Sequence, residues 1–201
     1  MNDNHTINIV LCGVGGQGIL LASEITARAA LAAGHDVKTN EVHGMAQRGG
    51  SVIAQVRYGA KVNSPLVEQG TAQVLASLER IEALRYAEYL APEGLAIVSS
   101  QMVVPVTVSS GAAQYPEDAE ARLRKCFTRL IYLNPLELAK GLGNPRTANV
   151  IVIGAMSVGL TLPEPAWQAA IRQSVKEKYV ELNLQAFAAG VTAARQALAT
   201  A

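Results

Sequence analysis

The chain has 201 residues, of which half are hydrophobic and 16% are charged, and its formal net charge is +1. That length fits one α/β domain with a sizeable core, and a near-neutral charge with no basic run excludes an electrostatic nucleic-acid footprint. An ordinary soluble domain carries about 25% charged residues, so the low charged fraction here implies apolar surface for a partner to cover.

No run of about 20 apolar residues offers a membrane span, and the polar stretch Met1 to Thr6 does not read as a secretory signal. The chain therefore reads as cytoplasmic. Its two cysteines, Cys12 and Cys126, are too few for a four-cysteine iron–sulfur cluster or a zinc ribbon. Cys12 reads as a small buried hydrophobe and Cys126 as a helix residue. HExxH, GxSxG and GxxxxGK[ST] are all absent, so neither a metal nor a catalytic residue is expected on this chain.

Ile7 to Cys12 is a continuous apolar strand of the kind found at the centre of a parallel sheet. Gly13, Gly15 and Gly18 follow at G-x-G-x-x-G spacing. Such a turn assigns the first glycine to the bend, the second to close approach of a ligand and the third to helix–strand packing. The helix expected from Gln17 to about Ala33, ended by Gly34, would aim unpaired N–H groups and a partial positive charge at whatever occupies the turn. Gly13, Gly15, Gly16, Gln17 and Gly18 are thus candidate contacts for a cofactor anion or a partner. A turn packed only for steric reasons is the plainer alternative. His35 to Glu41 is the second strand, completing a βαβ unit.

His43-Gly44-Met45-Ala46-Gln47-Arg48-Gly49-Gly50-Ser51 leaves the carboxyl end of that strand, where open α/β sheets meet their ligands. Arg48 offers a planar fork for a carboxylate or phosphate, and the glycines permit close approach. His43, Gln47, Arg48, Gly49, Gly50 and Ser51 are therefore candidate substrate or partner contacts, against the alternative of a solvated loop.

Ser51 to Tyr58 alternates, which suggests a half-buried strand near a sheet edge, with Gln55 and Arg57 on the polar side. Ala72 to Ala76 and Leu95 to Val98 are buried strands. Leu78 to Leu90 reads as one amphipathic helix with Glu82 outward. Pro105 to Val108 reads as extended and Ser109 to Gln114 as loop, and Pro116 opens a helix at its first position. Arg129 to Leu133 is the last strand, and Pro135 to Lys140 a short helix. Thr147 to Leu160 is apolar all round and β-branched, yet its length and its Ala and Gly content favour a buried helix. A short helix from Pro163 and one or two terminal helices from Glu177 complete the chain. The sum is a three-layer, Rossmann-like α/β domain over residues 1–201, with a mostly parallel sheet of about 5–7 strands and a helical C-terminal part from about residue 146.

Gly13-Val14-Gly15-Gly16-Gln17-Gly18, followed by Glu41 to Val52, resembles the gamma subunit or domain of 2-oxoacid:ferredoxin oxidoreductases, most closely the beta subunits of the indolepyruvate enzymes. The likeness extends over Val56 to Gly59, Ser64-Pro65, Glu79 to Leu90, Tyr115-Pro116, Asn149 to Leu160 and Asn183 to Gly190. The resemblance implies a smaller subunit in a complex that oxidatively decarboxylates an arylpyruvate to an acyl-coenzyme A. It implies a large alpha-type catalytic partner carrying thiamine diphosphate and iron–sulfur clusters, with ferredoxin as electron acceptor. The isolated chain would then be inactive. Two alternatives remain at this stage. A stand-alone NAD-type dehydrogenase would place Glu41 against a ribose hydroxyl, and a scaffold would bind no small molecule.

Overall fold

The structure, a computed structural model, describes residues 6–44, 49–104, 108, 111 and 114–200. Among these, six strands form one sheet in the order β2-β3-β1-β4-β5-β6. They are β1 Ile7–Val14, β2 Asp36–His43, β3 Ser51–Gly59, β4 Ala72–Ser77, β5 Leu90–Ser99 and β6 Leu130–Leu133. The series β1, β4, β5 and β6 pairs in parallel, while β3 runs antiparallel to both β1 and β2. The α-helices are α1 Ile19–Ala32, α2 Arg80–Arg85, α3 Ala119–Cys126, α4 Pro135–Gly141, α5 Ala148–Ser157, α6 Glu164–Ser174 and α7 Val180–Ala199.

Alternate residues of the sheet feed two separate cores. Ile9 and Leu11 of β1 pack with α1, α5, α6 and α7, while Val10 and Cys12 pack on the opposite face with Ala83 of α2 and Leu123 of α3. This is the expected three-layer α/β domain with a mostly parallel sheet and a helical C-terminal part. The apolar run of α5 forms a helix because it is covered on every side: Val150, Ile151, Val152 and Ile153 are all buried. Its partner is α7. A Cβ on Gly154 would lie 2.1 Å from the Phe187 carbonyl oxygen, and one on Gly190 would lie 2.0 Å from that of Ile151. The two helices therefore cross backbone to backbone.

β1 and β2 run in the same direction, with β3 between them. Three local expectations need correction. β3 is near the edge, second from it, but its polar side does not face water. Gln55 accepts the Val67 N–H at 2.9 Å, and Arg57 donates to Asn8 Oδ1 at 2.8 Å and to the carbonyls of Ser64 and Leu66 at 2.8 and 3.0 Å. The chain after β3 thus covers that face. The single helix expected over 78–90 is the six-residue α2 followed by a 3₁₀ turn, Ala87–Tyr89. Glu79 is the cause. Its buried carboxylate accepts the N–H groups of Ile81 at 2.6 Å and Glu82 at 3.0 Å, which starts the helix late and turns Glu82 inward. α3 begins at Ala119, so Pro116 precedes a turn rather than opening the helix. Most of the segments 105–108 and 109–114 lies outside the described residues.

Candidate functional site

The carboxyl ends of β1, β2, β4, β5 and β6, with the start of β3, form one rim of the sheet. β1 also lies where the chain's course reverses: β2 and β3 are on one side of it and β4 on the other. Crevices at such a point are where open α/β sheets take their ligands.

The glycine turn is built differently from its expected division of roles. Gly13 stays in the strand. A Cβ there would meet Ile19 Cδ1 at 2.7 Å and Gln17 Oε1 at 2.8 Å, so the first glycine permits helix–strand packing rather than making the bend. The bend is closed by the Gln17 N–H on the Val14 carbonyl at 3.1 Å, with Gly16 at φ +102° in the position that requires glycine. Gly18, at φ +88°, is the N-cap of α1, and a Cβ on it would lie 2.6 Å from Asn149 Nδ2. The close approach at Gly15 is made by the chain itself. Its N–H donates to the Gly50 carbonyl at 2.8 Å, and its carbonyl accepts the Gly49 N–H at 3.4 Å. The two sequence motifs are therefore one structure.

Gln17 acts as a strut. Its Oε1 accepts the Val14 N–H at 2.8 Å, and its Nε2 donates to the Leu78 carbonyl at 2.8 Å and to Gln101 Oε1 at 3.2 Å. One side chain so ties the ends of β1, β4 and β5 together. Its amide is fully engaged, which leaves the backbone around it to face a ligand.

Among the loop candidates, Gln47 and Arg48 lie outside the described residues. His43 is exposed at the end of β2 and, with Gly15, Leu20 and Val52, borders a hollow of about 540 Å³. Gly49 has φ +78°. Ser51 pairs with Val14 in the sheet, and its carbonyl accepts the Gly44 N–H at 3.0 Å. The Ser51 hydroxyl donates to the buried Glu82 carboxylate and lies 2.9 Å from the Tyr86 hydroxyl.

On the other side of the turn, Gly16, Gly18, Gln101, Arg146 and Asn149 border a cleft of about 370 Å³. Three features make this cleft electropositive. The start of α1 has no side-chain cap and no acid in its first turn. Its first helical bond is Ala22 N–H to the Gly18 carbonyl at 3.0 Å, so the amides of Ile19 to Leu21 precede any intrahelical acceptor. Asn149 is 6% exposed; its Oδ1 accepts the Val150 N–H, while its Nδ2 has no acceptor among the described residues. Arg146 is exposed at the mouth.

Sequence reasoning missed Arg146, Asn149, Gln101, Glu79 and Glu82. The signal for the first two was local: a lone amide opens an otherwise apolar helix, just after Asn-Pro-Arg. Nothing in the sequence marked the others. Tyr115, far along the chain, donates its hydroxyl to Glu79 at 2.7 Å and receives Arg80 Nε at 3.0 Å. Burial and Glu79 raise the Tyr115 hydroxyl above the ordinary tyrosine range and keep it a donor.

The profile of the pyruvate ferredoxin/flavodoxin oxidoreductase family matches residues 8–193. The chain belongs to that family. It is similar to the indolepyruvate oxidoreductase subunit IorB of Archaeoglobus fulgidus, 45% identical over 188 residues, which span 92% of this chain and 93% of that one. The subunit of the same name from Thermococcus kodakarensis is 43% identical over 95% of this chain and 97% of that one. Among solved structures, the gamma subunit of a keto/oxoacid ferredoxin oxidoreductase from Geobacter sulfurreducens matches with a TM-score of 0.70 at 25% identity, over 94% of this chain and 99% of that one. The fold also occurs inside a longer chain. A 2-oxoglutarate:ferredoxin oxidoreductase from Magnetococcus marinus matches with a TM-score of 0.72 at 20% identity, over 95% of this chain but 31% of that one. These relatives are oxidoreductase subunits, and the reading as a stand-alone NAD-type dehydrogenase is set aside.

Proposed function

We propose that this chain is the smaller, gamma-type subunit of an indolepyruvate or arylpyruvate:ferredoxin oxidoreductase, acting as one domain within a cytoplasmic complex. Relatives of matching length that carry the indolepyruvate name support the substrate class. In this reading thiamine diphosphate and the iron–sulfur clusters belong to a large catalytic partner, which performs the decarboxylation and electron transfer to ferredoxin. Two cysteines on separate elements, one buried in β1 and one exposed at the end of α3, do not make a cluster site.

The contribution of this chain is the rim. We assign the cleft beside Gly16 and Gly18 to an anionic group of coenzyme A. The free α1 amides would donate to a phosphate oxygen, Asn149 Nδ2 would orient it, and Arg146 would neutralise it. Asn149, 6% exposed, with an Nδ2 that meets no acceptor among the described residues, is the feature that fits. We assign the 43–51 loop to the catalytic subunit. One observation carries this site: the backbone bonds between Gly15 and Gly49-Gly50, which bring cofactor cleft and partner loop to a single point.

Arg48 tests the reading. In the complex purified with its large subunit, Arg48→Ala is expected to weaken assembly or acyl-coenzyme A formation at least about tenfold, while the unfolding midpoint of the isolated chain stays in place. A pull-down and a turnover assay measure the two. Wild-type values in both would remove the loop from the functional site.

A further inference from the structure

We infer that Glu82 is the positioning residue of the 43–51 loop, acting through the hydroxyl of Ser51. The inference rests on the reading of that loop as a contact with the catalytic subunit.

The loop leaves the sheet from a base bound on three sides. Gly44 N–H to the Ser51 carbonyl closes its neck. Gly15 binds Gly50 and Gly49 from β1. The third attachment differs in kind, because it uses side chains from an element 31 residues away. The Glu82 carboxylate receives the Ser51 hydroxyl on one oxygen and Arg85 Nε at 3.1 Å on the other. The Tyr86 hydroxyl reaches Ser51 Oγ from one turn later, at 2.9 Å.

A buried carboxylate costs free energy unless its oxygens are satisfied, so a buried acid with arranged partners is a fixed point. Glu82 is 6% exposed and holds its place because α2 is itself anchored. Glu79, 1% exposed, caps α2 with one oxygen. Its other oxygen accepts the Tyr115 hydroxyl at 2.7 Å and the Val103 N–H at 3.4 Å. Below α2, the Cys12 thiol meets the Glu82 carbonyl at 3.6 Å. α2 is too short to be held by packing alone: its sole wholly apolar buried residue is Ala83. Its acids therefore set where it sits, and through Ser51 they fix the base of the loop at Gly49 to Ser51. Without the hydroxyl, the backbone bonds at Gly44 and Gly15 still close the hairpin, but among the described residues no other side-chain bond ties its base to α2.

The test uses Ser51→Ala, which leaves the backbone pairing intact, with Ser51→Thr as the variant that keeps a hydroxyl on a strand residue. Hydrogen exchange is followed on the full chain. Ser51→Ala is expected to speed exchange of the Gly15 and Gly49 amides, the donors of the two bonds at the loop base, at least about tenfold while that of Val10 and Leu11 is unchanged, and Ser51→Thr is expected to restore protection. In the complex, Ser51→Ala should lower affinity for the large subunit about threefold or more, and Ser51→Thr should bring it back. Unchanged exchange at Gly15 and Gly49 overturns the inference, whatever the assembly result. Faster exchange with wild-type assembly also overturns it if Arg48→Ala in parallel does weaken assembly. If Arg48→Ala also assembles normally, the reading of the loop as a contact falls, and with it the role given to Glu82.

Discussion

The two faces of the sheet are held by different physics. On the face covered by α1, α5, α6 and α7, the interior polar side chains bond locally, within four residues, and the bridges between helices are exposed ones, Arg28 to Gln173 and Arg172 to Glu181. Thr26 donates to the Ala22 carbonyl, Ser157 to that of Gly154 and Asn183 to that of Tyr179. Among the described residues no side-chain hydrogen bond crosses between α5 and α7; their Gly154 and Gly190 let the backbones touch. On the opposite face the polar side chains bridge elements distant in sequence. Asn8 reaches Thr71, Gln55 reaches Val67, Arg57 reaches Ser64 and Leu66, and Glu82 reaches Ser51. Complementary shape holds the first face and directed hydrogen bonds hold the second. The candidate rim draws on both: Asn149 comes from the first, Glu79 and Glu82 from the second.

The largest expected effect is on the shape-held face. A valine at position 190 would place its Cβ about where the Ile151 carbonyl oxygen already sits, 2.0 Å away, and neither backbone can yield without separating the helices. Gly190→Val is expected to abolish a cooperative unfolding transition, as seen by circular dichroism during thermal melting. A variant that melts like the wild type would mean that α5 and α7 are not locked by this contact.

A smaller effect is expected on the other face. Arg57→Ala removes three hydrogen bonds, to Asn8, Ser64 and Leu66, and frees the chain after β3. Bonds from a charged donor are each worth about 1.5–3 kcal/mol at most, and Arg57 is only partly buried, so a net loss of about 2 kcal/mol is expected. Urea unfolding should show a lower midpoint with a two-state transition retained. A loss as severe as that of Gly190→Val would erase the distinction between the faces.

These contrasts also explain what was legible in the sequence. Continuous apolar runs announced β1, β4 and β5, because both faces of those strands are buried. The α5 segment could be read as a helix because it is apolar on all sides. The hydrogen-bonded face was not legible. Gln55 and Arg57 look like a solvent-facing side until the 62–71 segment folds over them, and Glu82 fits the polar stripe of an ordinary amphipathic helix until Glu79 caps α2. The rim was half legible. The glycine spacing and the His43–Ser51 run were visible, but their union through Gly15 and Gly50 is a pairing between non-adjacent segments. Arg146 and Asn149 reach the same cleft only because α5 starts beside Gly18.

The smallest expected effect separates the faces by pH. Cys12 is fully buried on the hydrogen-bonded face, and burial pushes its thiol from 9.0 up to about 12. Tyr58 is buried on the shape-held face, and burial raises its hydroxyl from 10.0 to about 12. In both cases the unfolded chain loses its proton first. The unfolded state therefore binds fewer protons than the folded one above the ordinary value, and stability falls as pH rises. The thiol begins this fall near pH 9 and the phenol near pH 10, each with a limiting slope of about 1.4 kcal/mol per pH unit. Between these two values Cys12 is the main buried contributor, so Cys12→Ala should flatten the loss between pH 9 and 10 while costing about 1 kcal/mol at neutral pH for the lost sulfur contacts. Urea midpoints across that range measure it, with Tyr58→Phe as the control whose slope should change only above pH 10. A Cys12→Ala curve parallel to the wild type between pH 9 and 10 would show that the hydrogen-bonded face already opens enough to let the thiol ionise in the folded state.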